Sequence, residues 1–126
     1  MAKGYLIDSN PIIDFFNNSL PKGGVDLISD IEPVISIITQ IEIFSKKGLL
    51  DREISELKDF LKIATIYDVN QAIAVKIIDI KVNYNIKLPD AIIAATALHF
   101  DLKLITRNTS DFNKIKGLEV IDPHII

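Results

Sequence analysis

The sequence contains no cysteine and no tryptophan, and only one methionine, five glycines and five prolines among its 126 residues. The absence of cysteine excludes disulfide bonds, thiolate zinc sites and a cysteine nucleophile, and it fits a reducing compartment. Any metal site must therefore use oxygen ligands or one of the two histidines. A glycine-rich phosphate loop is also absent, so nucleotide binding of that type is not expected.

No apolar run is long enough to cross a membrane. The longest stretch that contains no Asp, Glu, Lys or Arg is 91–100. It is about half of the roughly 20 residues that a membrane-spanning helix needs. Asp8 interrupts the N-terminal region before the apolar part of a signal peptide could develop. We therefore expect a soluble, cytoplasmic protein.

The chain has 17 acidic and 14 basic residues, a net charge of −3, which excludes a protein that coats nucleic acid by bulk charge. Hydrophobic residues make up 48% of the chain and charged residues 25%. That composition supplies one buried core and excludes intrinsic disorder as the dominant state. We expect a single domain over residues 1–126.

Short β-branched segments alternate with longer segments of helical period, a pattern typical of βαβ units around a parallel sheet. The predicted fold class is therefore α/β, a three-layer α/β/α sandwich with a central parallel sheet. Strands are predicted at 5–7, 34–38, 65–67, 103–106 and 118–121. Helices are predicted after Pro11, at 25–31, from 39 to Gly48, from Asp51, from 69 to about 83, and at 91–100.

Polar residues, proline and glycine are expected to set the ends of these elements. Asn10 is predicted to cap the first helix and Pro11 to open it. The segment 21–24, with its proline and two glycines, is expected to break the chain. Asp68 is a predicted helix cap, and 107–112 is a predicted turn.

Four carboxylates fall at junctions between predicted elements. Asp8 follows the first strand and Glu42 starts the helix after the second strand. Asp90 starts the helix before the fourth strand, and Asp111 follows that strand. Because open parallel sheets bind ligands at the carboxyl ends of their strands, Asp8, Glu42 and Asp111 should share one edge. Asp90 would join them through tertiary packing.

Each acid also has a structural role open to it. Thr39 and Glu42 have the spacing of a capping box, and Asp8 could help to cap the first helix. Asp90 lies at a favourable helix-dipole end, and Asp111 could close an Asx-turn. The joint placement of the four acids, and the lack of a rival site, favour a catalytic role.

Four acids in one cleft repel one another and raise one another's pKa values unless a cation neutralises them. Without these four, thirteen acidic residues face fourteen basic ones. An all-oxygen site selects a hard ion, so we expect Mg²⁺ or Mn²⁺. Such ions activate water and stabilise phosphate oxygens, which makes phosphodiester hydrolysis the leading chemistry.

Four segments of the sequence resemble the PIN domain, specifically the VapC-type toxin ribonucleases. They are LIDSN at 6–10, SIITQIE at 36–42, LPDAIIAATA at 88–97 and LITRNTSDF at 104–112. Their order and spacing match as far as the closing segment 116–123, so the resemblance covers essentially the whole chain. It implies the PIN fold and metal-dependent endoribonuclease activity.

By this resemblance, Asp8, Glu42 and Asp90 correspond to metal-binding acids of the family. Related proteins place the fourth acid at the position of Asn108 or of Asp111, and here only Asp111 is acidic. The implied mechanism is in-line attack of water on phosphorus, with no side chain as nucleophile.

The resemblance also implies supporting residues. Ser9, which stands where threonine is commoner, and Thr106 and Asn108 would orient the metal ligands or the phosphate. Arg107 could make a bidentate contact to an RNA phosphate. The two histidines, His99 and His124, are expected to be surface residues. Further candidates for contacts to the RNA backbone are Lys46, Lys47, Lys87, Lys103, Lys114 and Lys116.

VapC-like proteins form homodimers and are inhibited by a VapB-type antitoxin, so the resemblance implies both partners. The amphipathic segments 12–16 and 54–61 are candidate contact surfaces, although ordinary core packing explains most of their residues.

Three alternatives remain at this point. A haloacid-dehalogenase-like phosphatase would also have an aspartate after the first strand, but it would carry a second acid where this chain has Asn10. A non-catalytic PIN-like RNA- or protein-binding module could dispense with the metal. A housekeeping PIN nuclease would share the chemistry without being a toxin.

Overall fold

The structure, a computed structural model, describes residues 3–126. Its strands are β1 (Tyr5–Ile7), β2 (Val34–Ser36), β3 (Thr65–Tyr67), β4 (Lys103–Ile105) and β5 (Val120–Ile121). Its helices are α1 (Ser9–Phe16), α2 (Lys22–Asp30), α3 (Ile37–Ser45), α4 (Asp51–Ile63), α5 (Gln71–Asn83), α6 (Leu88–His99) and α7 (Thr109–Phe112). Within the described residues, no helix is both long and apolar enough to span a membrane.

The strands pair only in parallel. β4 lies between β1 and β5, with Leu6 opposite Leu104. β2 pairs with β3, with Ile35 opposite Ile66, and β1 lies beside β2. Because paired parallel strands share one direction, the carboxyl ends of β1, β4 and β5 lie along one side of the strand layer, here termed the carboxyl edge. A hydrogen bond from Ser9 to Glu42 brings α3, which follows β2, to the same edge.

Helices cover both faces of the strand layer. Alternate residues of the strands point to opposite faces, so Leu6 and Leu104 belong to one buried cluster and Ile7 and Ile105 to the other. The first cluster includes buried residues of α5 and α6, and the second includes those of α1, α3 and α4. The predicted three-layer α/β/α sandwich with parallel strands is confirmed.

The first helix begins one residue earlier than the predicted cap at Asn10. Asp8 is the N-cap, and its Oδ1 accepts a hydrogen bond of 2.8 Å from the backbone N–H of Ser9. Pro11 is the third helical residue, where its missing N–H costs no intrahelical hydrogen bond. The prediction that Asn10 caps this helix was wrong, because Asp8, which directly follows β1, accepts the capping hydrogen bond instead.

The predicted break at 21–24 was also wrong, since α2 begins at Lys22 and contains both glycines. A Cβ atom at Gly24 would lie 2.2 Å from the carbonyl oxygen of Pro123, and one at Gly23 would lie 2.5 Å from that of Ile126. These glycines therefore serve close packing against residues 122–126, here termed the C-terminal segment.

The second strand ends at Ser36, two residues before the predicted end. The Ser36 hydroxyl accepts a hydrogen bond from the N–H of Ile38 and caps α3. Glu42 consequently lies in the second turn of α3 rather than at its start. The alternative role of Thr39 and Glu42 as a capping box does not apply, because Thr39 is fully buried and its hydroxyl has no hydrogen-bond partner within residues 3–126.

Other boundaries moved by a few residues. Asn70, and not Asp68, caps α5, because its Oδ1 accepts from the N–H of Ile73 at 2.9 Å. The predicted turn at 107–112 contains the short helix α7, and the predicted strand at 118–121 forms only from Val120.

Candidate metal centre

Asp8 is the most buried of the four acids, with only 5% of its surface exposed. Its Oδ1 accepts from the Ser9 N–H, and its Oδ2 accepts from the Thr106 hydroxyl at 2.8 Å. These hydrogen bonds lower the pKa of Asp8, but desolvation outweighs them and raises it above the ordinary value of 3.8. Asp8 is thus a fixed carboxylate with little water around it.

Ser9 links Glu42 to Asp8 by hydrogen bonds to both side chains. The Ser9 hydroxyl donates a hydrogen bond of 3.3 Å to Glu42 Oε1, while the Ser9 backbone N–H donates to Asp8. Burial raises the pKa of Glu42, and the negative charges of Asp8 and Asp90 raise it further. The serine that follows β1 therefore holds two carboxylates that repel each other.

Asp90 enters the site from the first turn of α6, where Pro89 opens the helix. Burial raises the pKa of Asp90, and the charges of Asp8 and Asp111 add to the effect, whereas Lys87 opposes it. The start of α6 thus brings Asp90 to the acids at the carboxyl edge, as the sequence analysis required.

Asp111 is tied to the same edge by Asn108. The Asn108 side-chain amide donates to Asp111 Oδ2 at 2.8 Å, and its backbone N–H donates to the Thr106 hydroxyl at 3.1 Å. That hydroxyl in turn donates to Asp8. A continuous chain of hydrogen bonds therefore joins Asp8 to Asp111 and contains Thr106 and Asn108.

The donor set suits a hard divalent cation. None of the four acids forms an ion pair with lysine, arginine or histidine within residues 3–126. Partly buried carboxylates without a cation are costly. Across the same residues, no three acidic or histidine side chains lie close enough to form a ready-made metal site. Beyond the effect of burial, the charges of neighbouring acids raise the pKa values of Glu42 and Asp90. No three of the acids in the described residues, however, lie around a common point.

A second polar cluster at this edge was not predicted. Asp14 Oδ2 lies 3.2 Å from Arg107 Nη1 and 2.9 Å from His124 Nε2. His124, which was expected to be a surface residue, is 27% exposed, and its ring contacts the buried Asp14 carboxylate. The three residues are separated by 93 and 110 positions, so no local pattern could have brought them together.

An apolar groove of about 500 Å³ opens between α1, α2 and α4. Phe16 and Phe60 meet edge to face there, with ring centroids 5.7 Å apart. Ile12 and Ile13 of the candidate segment 12–16 are buried in the core, whereas Phe15 and Phe16 line the groove. We term this surface the aromatic groove; its lining residues are Phe15, Phe16, Ile28, Ser29, Ile31, Pro33, Glu56, Asp59, Phe60 and Ile63.

The sequence model of the PIN domain matches residues 5–118. This chain belongs to the PIN domain family. The match spans all four acids and both faces of the strand layer. No curated protein matches the chain.

Solved structures agree with this assignment. A chain of a toxin-antitoxin complex from Klebsiella pneumoniae superposes with a TM-score of 0.80 at 34% identity, covering 98% of this chain and 100% of that chain. For VapBC-1 from nontypeable Haemophilus influenzae, the TM-score is 0.74 at 25% identity, with 94% and 96% covered. DNA-bound VapBC from Salmonella typhimurium shares the fold, with a TM-score of 0.82 at 21% identity and 96% and 98% covered. Together with the PIN match, these neighbours are consistent with a VapC-type PIN protein.

Proposed function

We propose that this chain, over residues 1–126, is a metal-dependent endoribonuclease and the toxin of a VapBC-type toxin-antitoxin pair, acting in the cytoplasm. The observation that carries the proposal is the placement of four acids, none of them ion-paired within residues 3–126, at the carboxyl edge of a PIN fold, near enough for their charges to act on one another. Burial raises the pKa values of Glu42 and Asp90, and the nearby charges of the other acids raise them further. A bound cation would relieve this repulsion.

Asp8, Glu42, Asp90 and Asp111 would hold Mg²⁺ or Mn²⁺, because hard cations prefer carboxylate oxygens. When bound, such an ion supplies charge stabilisation at phosphate oxygens and makes water a better nucleophile. The protein's own part is orientation. Ser9 fixes Asp8 and Glu42 relative to each other, whereas Thr106 and Asn108 fix Asp8 and Asp111.

RNA would approach the acids along a rim of basic side chains. Arg107 directly follows Thr106 and is half exposed, and Lys87 is close enough to affect the charge of Asp90. Contacts of this kind bind the phosphate backbone without reading bases. Single-stranded or looped RNA is the substrate class that exposes its backbone to such an edge.

The aromatic groove is the proposed docking surface for a VapB-type antitoxin. Its apolar lining fits an amphipathic helix, and Glu56 and Asp59 place negative charge at its border. The Klebsiella neighbour belongs to a toxin-antitoxin complex. An antitoxin segment with apolar anchors and basic flanks would match this groove.

A homodimer is also proposed, and exposed apolar residues on two helices support it. Val75, Ile78 and Val82 form one stripe along α5, and Ile41 and Phe44 are exposed on α3. Exposed apolar side chains grouped on helices are typical of surfaces that contact another protein.

The main alternatives are a non-catalytic PIN-like binding module and a housekeeping PIN nuclease. The retained acids argue against the first. Expression alone distinguishes the second, because a toxin slows growth and a housekeeping nuclease does not.

The proposal is tested by cleavage of a labelled single-stranded RNA with Mn²⁺ or Mg²⁺ and with a chelator. We expect cleavage that requires the metal and that falls at least about a thousandfold in Asp90→Asn, because a ligand and its charge are lost. The matched control is Asp101→Asn, since Asp101 is exposed, pairs with Lys3 at the surface and has a φ of 54°, which asparagine tolerates. Undiminished cleavage by Asp90→Asn, or equal losses in both variants, would refute the assignment.

A further inference from the structure

Asp14 is a buried acid outside the proposed metal site, and two long-range partners converge on it. Only 9% of its side chain is exposed, yet it faces Arg107 at 3.2 Å and His124 at 2.9 Å, both at Oδ2. A carboxylate only accepts hydrogen bonds, so both partners donate to it. Three distant parts of the chain therefore meet at one oxygen: α1, the residues after β4, and the C-terminal segment.

The C-terminal segment is held where His124 can reach Asp14. The carbonyl oxygens of Pro123 and Ile126 pack against Gly24 and Gly23, where no Cβ atom would fit. The backbone N–H of His124 also donates to Asp122 Oδ1 at 2.9 Å. The glycines of α2 thus set the position of the imidazole, and the imidazole holds the Asp14 carboxylate.

Arg107 retains most of its donors. Its contact with Asp14 uses Nη1, and 53% of its side chain is exposed. A guanidinium carries five N–H donors in a planar fork. One edge of the fork can rest on Asp14 while another remains free to bind a ligand. In the chain, Arg107 stands between Thr106 and Asn108, whose side chains hydrogen-bond to Asp8 and Asp111.

We propose that Asp14 and His124 are positioning residues, which hold the Arg107 guanidinium at the rim of the four acids so that it can receive an RNA phosphate. The inference rests on the proposed function, because it assigns Arg107 to that same site. A free arginine side chain would have to lose its rotamer freedom on binding RNA. Anchoring by Asp14 removes that cost in advance.

Bulk electrostatics predicts the opposite effect of removing Asp14. If the acid only cancelled the charge of Arg107, Asp14→Asn would strengthen binding to the RNA backbone. If Asp14 positions the guanidinium, the same change weakens binding. The sign of the effect therefore separates the two explanations.

The experiment measures the binding of a fluorescein-labelled single-stranded oligoribonucleotide by anisotropy in a chelator, so that metal-dependent cleavage is suppressed. We expect Arg107→Ala to weaken binding about tenfold, as for loss of one charge-assisted contact, and to reduce the salt dependence by about one unit. Asp14→Asn should weaken binding about threefold to tenfold. In the Arg107→Ala background, Asp14→Asn should cause no further loss.

Tighter binding by Asp14→Asn, or an equal loss in both backgrounds, would overturn the proposal. If the wild type binds RNA but never cleaves it with metal, the proposed catalysis fails while this test of positioning still gives a result. With cleavage present, the expected change for Asp14→Asn is a higher KM at an unchanged kcat.

A second pair of variants keeps the test decisive if Asp14→Asn does not fold. His124→Ala should weaken RNA binding about threefold, whereas His124→Gln should restore it, because the glutamine amide can donate to Asp14. His99→Ala is the control, since the His99 ring packs edge-on against Phe100. Equal binding by the wild type and His124→Ala, or failure of His124→Gln to restore binding, would refute the role of His124.

Discussion

At the residue scale, Asp8 combines two roles that sequence analysis treated as alternatives. It caps α1, and it is also the most buried acid of the proposed metal centre. Its two hydrogen bonds fix its direction without neutralising it, since the donors are a backbone amide and a hydroxyl. Within residues 3–126, the buried Asp8 carboxylate therefore has no positively charged partner to offset its desolvation.

The raised pKa of Asp8 has a consequence for stability. Its folded-state pKa lies above the unfolded value, so the folded protein binds more protons and becomes less stable as pH rises through that interval. Asp8→Asn should therefore raise the Tm of the metal-free protein by about 2 to 4 °C at neutral pH. At a pH below the unfolded value near 3.8, the gain should vanish. Thermal melts at both pH values check this, and a lower Tm at neutral pH would contradict it.

The fourth acid is the residue whose role the family pattern left open. Of the two candidates only Asp111 carries a charge, and the Asn108 amide donates one hydrogen bond to it. We expect Asp111→Asn to reduce the rate of RNA cleavage by about tenfold to a hundredfold, and Asn108→Ala by less, because only the first removes a charged ligand. Single-turnover assays at saturating Mn²⁺ would measure this. The reverse order would assign the fourth contact to Asn108.

At the element scale, the strands were predictable and several helix starts were not. β1 and β3 lie where the short β-branched and aromatic runs predicted them, because such residues favour strands. The start of α2 depended on a tertiary contact with the C-terminal segment, 99 positions away between Gly24 and Pro123. No local signal distinguishes glycines that break a helix from glycines that make room for another backbone.

A substitution that adds one methyl group to α2, Gly24→Ala, tests how closely α2 packs against the C-terminal segment. Alanine normally stabilises a helix relative to glycine by about 1 kcal/mol. At Gly24, however, the new Cβ would lie 2.2 Å from the Pro123 carbonyl oxygen. We therefore expect Gly24→Ala to lower Tm by about 5 °C or more. Ser29→Ala, at an exposed position of the same helix, should leave Tm nearly unchanged. A stabilised Gly24→Ala would show that this contact does not limit α2.

At the scale of the whole molecule, the parallel strand layer explains why three of the four acids lie at one edge. Asp8 follows β1, Glu42 follows β2 through α3, and Asp111 follows β4, so shared strand direction brings them to one edge. Their shared edge was predictable because that argument needs only strand order along the chain, whereas Asp90 reaches it through the start of α6. That these acids bind a metal stays a prediction. The Asp14 cluster was not predictable, since it depends on how α1 and the C-terminal segment pack against the residues after β4.

The central claim is that Asp8, Glu42, Asp90 and Asp111 form a binding site for one or more hard divalent cations. Isothermal titration of the metal-free protein with Mn²⁺ tests it most directly, with Asp8→Asn, Asp90→Asn and the control Asp101→Asn beside the wild type. The account predicts saturable binding by the wild type and the control, weakened at least tenfold in Asp8→Asn and Asp90→Asn. Binding that is absent from the wild type, or equal in all four proteins, would contradict it.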